Sequence, residues 1–367
     1  MAASDDDKEM GASPTRIASP ELRFEAARAL VWTTVVGSLV LAIYISQSLL
    51  VIFGAMVFAS MIDGGARLLG RVLPIPRVWR VVIVLVAAVA FLLWLTGYAG
   101  SQISSEAAEL PAIVERQASE MFRWARGQGF EIALDDLKSM VGQAMDGVGT
   151  VTRALGGLIG GLTTVVLILI IGVYVAIEPR LYERGVAWIL PRHRRADFHV
   201  TVSRMAFTMR RLMFGRIVGM VVEGLFTYIM LVLYGLVTGD SIPMPALLGI
   251  LTGLLAFIPN IGAVVSGVLL VLVGFSGGTE MGIYTIVVYL LVQNIDGYIV
   301  IPMIAKKTVD LAPALVLGMQ LIMGILFGIM GLFLADPLLA MIKVALERRS
   351  EQNARDEAAA SAEASPA

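Results

Sequence analysis

Apolar runs without a charged side chain alternate along the chain with short, charge-rich segments. Ala29 to Ile62 holds no charge, nor does Val81 to Gly100 or Leu155 to Ile177; Ile217 to Thr238 holds only Glu223, and Met281 to Ile301 only Asp296. A bilayer crossing takes roughly 20 apolar residues in a helix, so the last four of these read as single spans. Ala29–Ile62 is too long for one crossing and carries Ser46, Gln47 and Ser48 near its middle. That pattern predicts two short helices joined by a tight turn.

Two further stretches, Pro243 to Phe275 and Ala312 to Val344, are longer than a span, and each is interrupted. A straight helix of that length would run roughly 45 to 50 Å at ~1.5 Å per residue, against about 30 Å of hydrocarbon. The first is broken at Pro259-Asn260-Ile261-Gly262 and the second loosened by Gly324, Gly328 and Gly331; Pro-Ala-Leu stands near the start of both, at Pro245 and Pro313. Each is expected to fold back as a hairpin of two half-helices. Backbone released from a helix in hydrocarbon must find protein or water partners, so such breaks mark polar cavities. Pro259 cannot donate, Gly262 permits positive φ, and Asn260 supplies both donor and acceptor. A packed proline kink is the plainer alternative.

Composition fixes the class. Of 367 residues, 57% are hydrophobic and 16% charged, more apolar surface than a water-soluble fold could cover. The chain reads as an all-α polytopic membrane protein of about eight hydrophobic helical units, the last including two re-entrant or broken helical hairpins in a weak inverted repeat. A net charge of −1 gives no electrostatic argument for nucleic acid, and the absence of cysteine removes thiol chemistry and Cys-ligated metals. No GxxxxGK[ST], HExxH or GxSxG pattern occurs. No enzymatic activity, cofactor or metal is expected.

Loop charges orient the chain. Arg67, Arg71, Arg77 and Arg80 face only Asp63, and Arg180 to Arg216 is arginine-rich throughout, which places both segments in the cytoplasm. Residues 101–154 are acidic and belong outside, as amphipathic helices on the membrane surface or against a neighbouring subunit. Two hairpins, rather than two full crossings, keep Lys306 and Lys307 inside with Arg348 and Arg349. The organisation predicted is a disordered N-terminus over 1–24, three membrane helices over 25–100, the insertion over 101–154 and a fourth helix over 155–179. A basic segment over 180–216, a transport core over 217–346 and a disordered C-terminus over 347–367 follow. Both termini are cytoplasmic in this scheme. Gly156, Gly157, Gly160 and Gly161, and Gly215 with Gly219, are spaced for close helix packing.

Ionisable residues within apolar spans mark pathways. Asp296 stands with Gln293 and Asn294 on one polar face, and Glu223 lies at comparable depth in the preceding span. Together they could bind a cation or share a proton. For Glu223 the alternative is pairing with an arginine of the 180–216 segment. Gln320 and Asp336 are further candidates for the same cavity, with the tips at Pro259, Asn260, Gly262 and Gly328 lining it.

The run IPNIGAVVSG, followed by QNIDGYIVIPMIAKKTVDLAPALVLGMQLIMGILFGIMGLFLADPL, resembles the autoinducer-2 exporter family of bacterial permeases. The residues that carry the resemblance are Pro259, Gly262, Gln293, Asp296, Pro302, Leu311, Pro313, Gly331 and Pro337, and ILPRHRR resembles the family's cytoplasmic connection. The resemblance implies an inner-membrane secondary transporter, homopentameric, with a pathway in each subunit and an elevator-like movement of the hairpins. It also implies export of the quorum-sensing signal autoinducer-2 or, as in some relatives, exchange of sodium or lithium for protons. Glu223 and Arg216 depart from the family pattern. The expected function is proton- or sodium-linked efflux of a small polar solute, with a cation/proton antiporter and a non-transporting scaffold as alternatives.

Overall fold

The computed structural model describes residues 19–127, 160–295 and 311–363. Among them every regular element is helical: α1 (Pro20–Leu69), α2 (Arg77–Gly127), α3 (Gly160–Ile177), α4 (Pro179–Ile189), a 3-10 turn (Arg192–Arg194), α5 (Arg195–Thr238), α6 (Pro245–Leu255), α7 (Ile261–Ser276), α8 (Thr279–Ile295) and α9 (Pro313–Glu363). Length and apolarity suit α1, residues 192–238 and residues 313–358 to crossing a membrane, and Thr163–Ile177 with Pro179–Ile189 forms a pair bent by 88°.

By internal contacts the chain divides after Leu50. The first unit contains the N-terminal part of α1, whose apolar side chains, Trp32 and Leu39 among them, are exposed. The turn expected at Ser46-Gln47-Ser48 is absent, and these residues are helical. Ser46 Oγ donates to the Ile43 carbonyl at 2.7 Å, so the hydroxyl is satisfied within the helix and forces no break. The N-terminus is helical from Pro20 onward; residues 1–18 lie outside those described.

In the second unit α5 serves as a ruler. The α6–α7 pair folds back on itself, since a Cβ on Gly277 would lie 3.1 Å from Pro243 Cδ, bringing the two ends of the stretch together. At the turn between them a Cβ on Gly262 would lie 1.8 Å from the Leu255 carbonyl oxygen. The base of this hairpin lies at the C-terminal end of α5, where Gly235 approaches Ser241, and α6 runs back beside α5 until Gly253 meets the Met220 carbonyl.

α9 is also a hairpin. Gly328 takes φ 60° and ψ −142° inside the apparent helix, and Gln320 hydrogen-bonds Asp336 at 3.2 Å although 16 residues separate them. A straight helix would hold that pair about 24 Å apart at ~1.5 Å per residue. Beyond the turn its second limb descends along α5 from Asp336, beside Arg216, to Glu351, beside Arg204. The two hairpins therefore enter from opposite ends of α5. Their turns meet where Phe257 packs on Phe333, ring centroids 4.8 Å apart.

Burial explains the scaffold. One stripe of α5, formed by Gly215, Gly219, Glu223, Thr227 and Leu231, is buried at helical spacing. The glycines of α6 allow near-backbone contact, a Cβ on Gly249 lying 2.8 Å from Tyr228 Cβ. Leu247, Leu270, Val273, Val288 and Val292 form the core around the first hairpin. Leu110 and Val114 of α2 join that core, so this part of the acidic insertion packs on the chain's own first hairpin. Residues 347–363, expected to be disordered, continue α9 as helix. Their Ala and Glu content favours that state.

Candidate functional site

Where the hairpins cross, polar side chains collect inside an otherwise apolar region. Asp336, 4% exposed, accepts from an Arg216 guanidinium nitrogen at 2.6 Å and from Gln320 Nε2 at 3.2 Å. Gln320 is 0% exposed, and its Oε1 has no hydrogen-bond partner among the described residues. A single carboxylate thus joins the first limb of the α9 hairpin, the second limb and α5. Two turns along α5, Glu223 is 6% exposed, and Thr227 beyond it is fully buried.

Of the residues singled out in the sequence, Gln320 and Asp336 enter this group. Glu223 lies on the same buried face of α5 as Gly215 and Gly219. Pro259 and Asn260 form the first turn, with Asn260 exposed at φ 63° and ψ −59°, the centre of a γ-turn in which Ile261 N–H donates to the Pro259 carbonyl at 2.7 Å, a rare and strained conformation. Gly262 is buried behind that turn, and Gly328 is exposed at the second. On α8, Gln293 Nε2 is buried without a hydrogen-bond partner among the described residues, whereas the exposed Asn294 donates to its own helix at the Leu290 carbonyl, 2.6 Å away. Asp296 lies outside the described residues, as do Pro302, Lys306, Lys307, Gly156 and Gly157.

Arg216 and Asp336 were less evident than Asp296 in the sequence. Arg216 reads as the end of a basic loop, and only the fold-back at Gly328 brings Asp336 alongside it. The available signal was an acid in an apolar stretch and an arginine at the edge of another. At the N-terminal end of α5, Asp63 accepts from Arg67 and Arg210 at 2.8 and 3.1 Å and also pairs with Arg77. There His199 contacts Glu183 at 2.5 Å. No group of three or more metal-type ligands occurs among the described residues.

The arrangement holds acid, amide and guanidinium groups near the meeting point of two opposed turns. The model of the AI-2E family transporter matches residues 32–351. YueF of Bacillus subtilis (strain 168), named for transport, is 22% identical over 285 residues, covering 73% of this chain and 76% of YueF. PerM of Escherichia coli (strain K12), named as a permease, is 30% identical over 204 residues, covering 54% of this chain and 56% of PerM. A Thermotoga maritima protein also named for transport is 25% identical over 194 residues, 53% of this chain and 58% of its own length. With the matched region spanning both hairpins and the α5 scaffold, the chain belongs to the AI-2E family of transporters.

Proposed function

We propose that the chain is a secondary-active exporter of a small polar solute in the bacterial inner membrane, driven by protons or sodium. The observation that carries this reading is the meeting of two opposed hairpin turns at Phe257 and Phe333, next to the buried group of Arg216, Asp336 and Gln320. Inverted hairpins of this kind can open a shared site to one side at a time. Gln320 Oε1 and Gln293 Nε2, which have no hydrogen-bond partner among the described residues, are suited to bind a polar solute. Asp296 supplies the negative charge for the coupling cation, and Asp336 adds its own when it parts from Arg216. Family membership favours an autoinducer-2-like signal as solute, a quorum-sensing role and a homo-oligomer, with a pentamer the form implied. Both termini are assigned to the cytoplasm from the arginine bias of their neighbouring segments.

A monovalent cation/proton antiporter is the second reading, favoured by the buried carboxylates Glu223 and Asp336. Purified protein in proteoliposomes, given a panel of small polar solutes under an imposed pH or sodium gradient, separates the two. The first reading expects gradient-dependent solute flux that Asp336→Asn reduces at least tenfold. Dissipation of the pH gradient by Na+ or Li+ alone, without solute movement, supports the antiporter. Neither flux in well-folded protein would sink both.

A further inference from the structure

Arginines converge where three apolar segments end. Asp63 follows directly on the uncharged run of α1, Arg77 and Arg80 directly precede that of α2, and Arg210 lies about two turns before that of α5. Their level along the fold is therefore that of lipid headgroups. Asp63, 7% exposed, is shared by Arg67, Arg77 and Arg210, one carboxylate against three guanidinium groups. Buried Arg80 Nε beside them has no hydrogen-bond partner among the described residues. Nearby acids are otherwise engaged: Glu347 with Lys343 at 3.6 Å, Glu351 with Arg204 and Arg348, and Asp197 with Arg348.

Arg210 also lines a groove of about 450 Å³ between α5 and α9, together with Arg204, Ser203, Thr208, Phe207, Val344 and Glu347, the last an acid paired with Lys343. Arg204 and Arg210 each give one guanidinium nitrogen to a carboxylate, Glu351 at 2.7 Å and Asp63 at 3.1 Å; their other N–H groups, with the two hydroxyls, suit a phosphodiester oxygen set. Phe207 is exposed and offers apolar contact to whatever carries the phosphate. We infer that this groove binds the headgroup of an anionic phospholipid. The excess of arginine over Asp63 in the adjoining cluster supplies the attraction, the headgroup depth supplies access, and Phe207 selects a ligand with acyl chains over free phosphate.

The test is lipid retention by the purified full-length protein, measured by native mass spectrometry and by the unfolding temperature in detergent. Phosphatidylglycerol and phosphatidylcholine are added separately. Phosphatidylglycerol should be retained at least tenfold more than phosphatidylcholine, and Arg204→Gln should weaken it about fivefold, as for one basic side chain at an anionic surface. Ser203→Leu with Thr208→Leu fills the groove without touching an ion pair. That variant should keep the lipid-free unfolding temperature and lose the preference. Equal retention of the two lipids overturns the inference, as does a preference that survives groove filling. Stabilisation by inorganic phosphate equal to that by phosphatidylglycerol overturns the lipid assignment. Binding is read without flux, so failure here and failure of the transport reading remain distinguishable.

Discussion

Arg216 and Asp336 stand 120 residues apart in the chain and are joined at 2.6 Å, which fastens the second hairpin to the long helix that scaffolds the first. Gln320 shares the same carboxylate, so one side chain ties the fold-back of α9 to α5 at the turn end, while Arg204–Glu351 and Asp197–Arg348 fasten the other end. Asp336 is buried and the Arg216 side chain 26% exposed, so removing Arg216 leaves a buried carboxylate without compensation, at a cost toward the lower end of the about 3–5 kcal/mol typical of fully buried pairs, whereas replacing both by apolar groups is often neutral. Arg216→Ala should therefore lower the unfolding temperature sharply in detergent. Arg216→Met with Asp336→Leu should recover most of that loss and leave flux abolished. Recovery of flux in the double variant would remove the pair from the transport pathway.

Glycines at the two turns test the hairpins themselves. A Cβ on Gly262 would lie 1.8 Å from the Leu255 carbonyl oxygen, and one on Gly331 would lie 1.9 Å from that of Met323. Neither backbone can yield cheaply, so Gly262→Ala and Gly331→Ala should each destabilise by about 1–3 kcal/mol or more. Gly328→Ala meets no atom within 4 Å but must hold φ at +60°, a strain of about 1–3 kcal/mol. Gly318, helical with open space around its Cβ position, is the control. Gly318→Ala should leave stability unchanged or raise it by up to about 1 kcal/mol. Thermal denaturation of the four variants checks the order.

The hairpins could be read from sequence because their signals are local. A stretch too long for a span and broken by Pro259 and Gly262, or opened by Gly328, leaves few ways to stay within a bilayer. The polar group at their crossing was legible only in part. Gln320 and Asp336 stood out as polar residues in an apolar run, but Arg216 becomes their partner through a contact that no nearby residue encodes. Ser46 and Ser48 misled for the opposite reason, since a serine hydroxyl can return to its own helix, as Ser46 does at Ile43. Leu110 and Val114 had the spacing of an amphipathic helix, yet that spacing does not say which surface it will cover. They cover the first hairpin.

The Phe257–Phe333 contact gives the resting state a covalent test. The chain has no cysteine, so Phe257→Cys with Phe333→Cys introduces the only two thiols. With ring centroids 4.8 Å apart in the native pair, a short bifunctional thiol reagent should join them in high yield. Cross-linking should stop flux in proteoliposomes, and reduction of a cleavable linker should restore it. Full flux in the cross-linked protein would mean that the turns need not part during transport.

Opposed hairpins also predict opposite exposure of their bases. The first closes at Pro243 and Gly277 near the C-terminal end of α5, while the second limb of α9 descends to Glu351 beside Arg204 at the other end. If α5 crosses the bilayer, a cysteine replacing Gly278 and one replacing Ser350 face different compartments. Gly278 takes φ +129°, so a second variant at the adjacent helical position, Thr279→Cys, guards against local strain. In intact cells a membrane-impermeant thiol reagent should label Gly278→Cys and Thr279→Cys, and should reach Ser350→Cys only after permeabilisation. The arginine bias around α5 predicts which site is outside, and the opposed hairpins predict that the two differ. Labelling of Ser350→Cys and Thr279→Cys from the same side would mean that α5 does not span the membrane, and that the hairpins do not open to opposite faces.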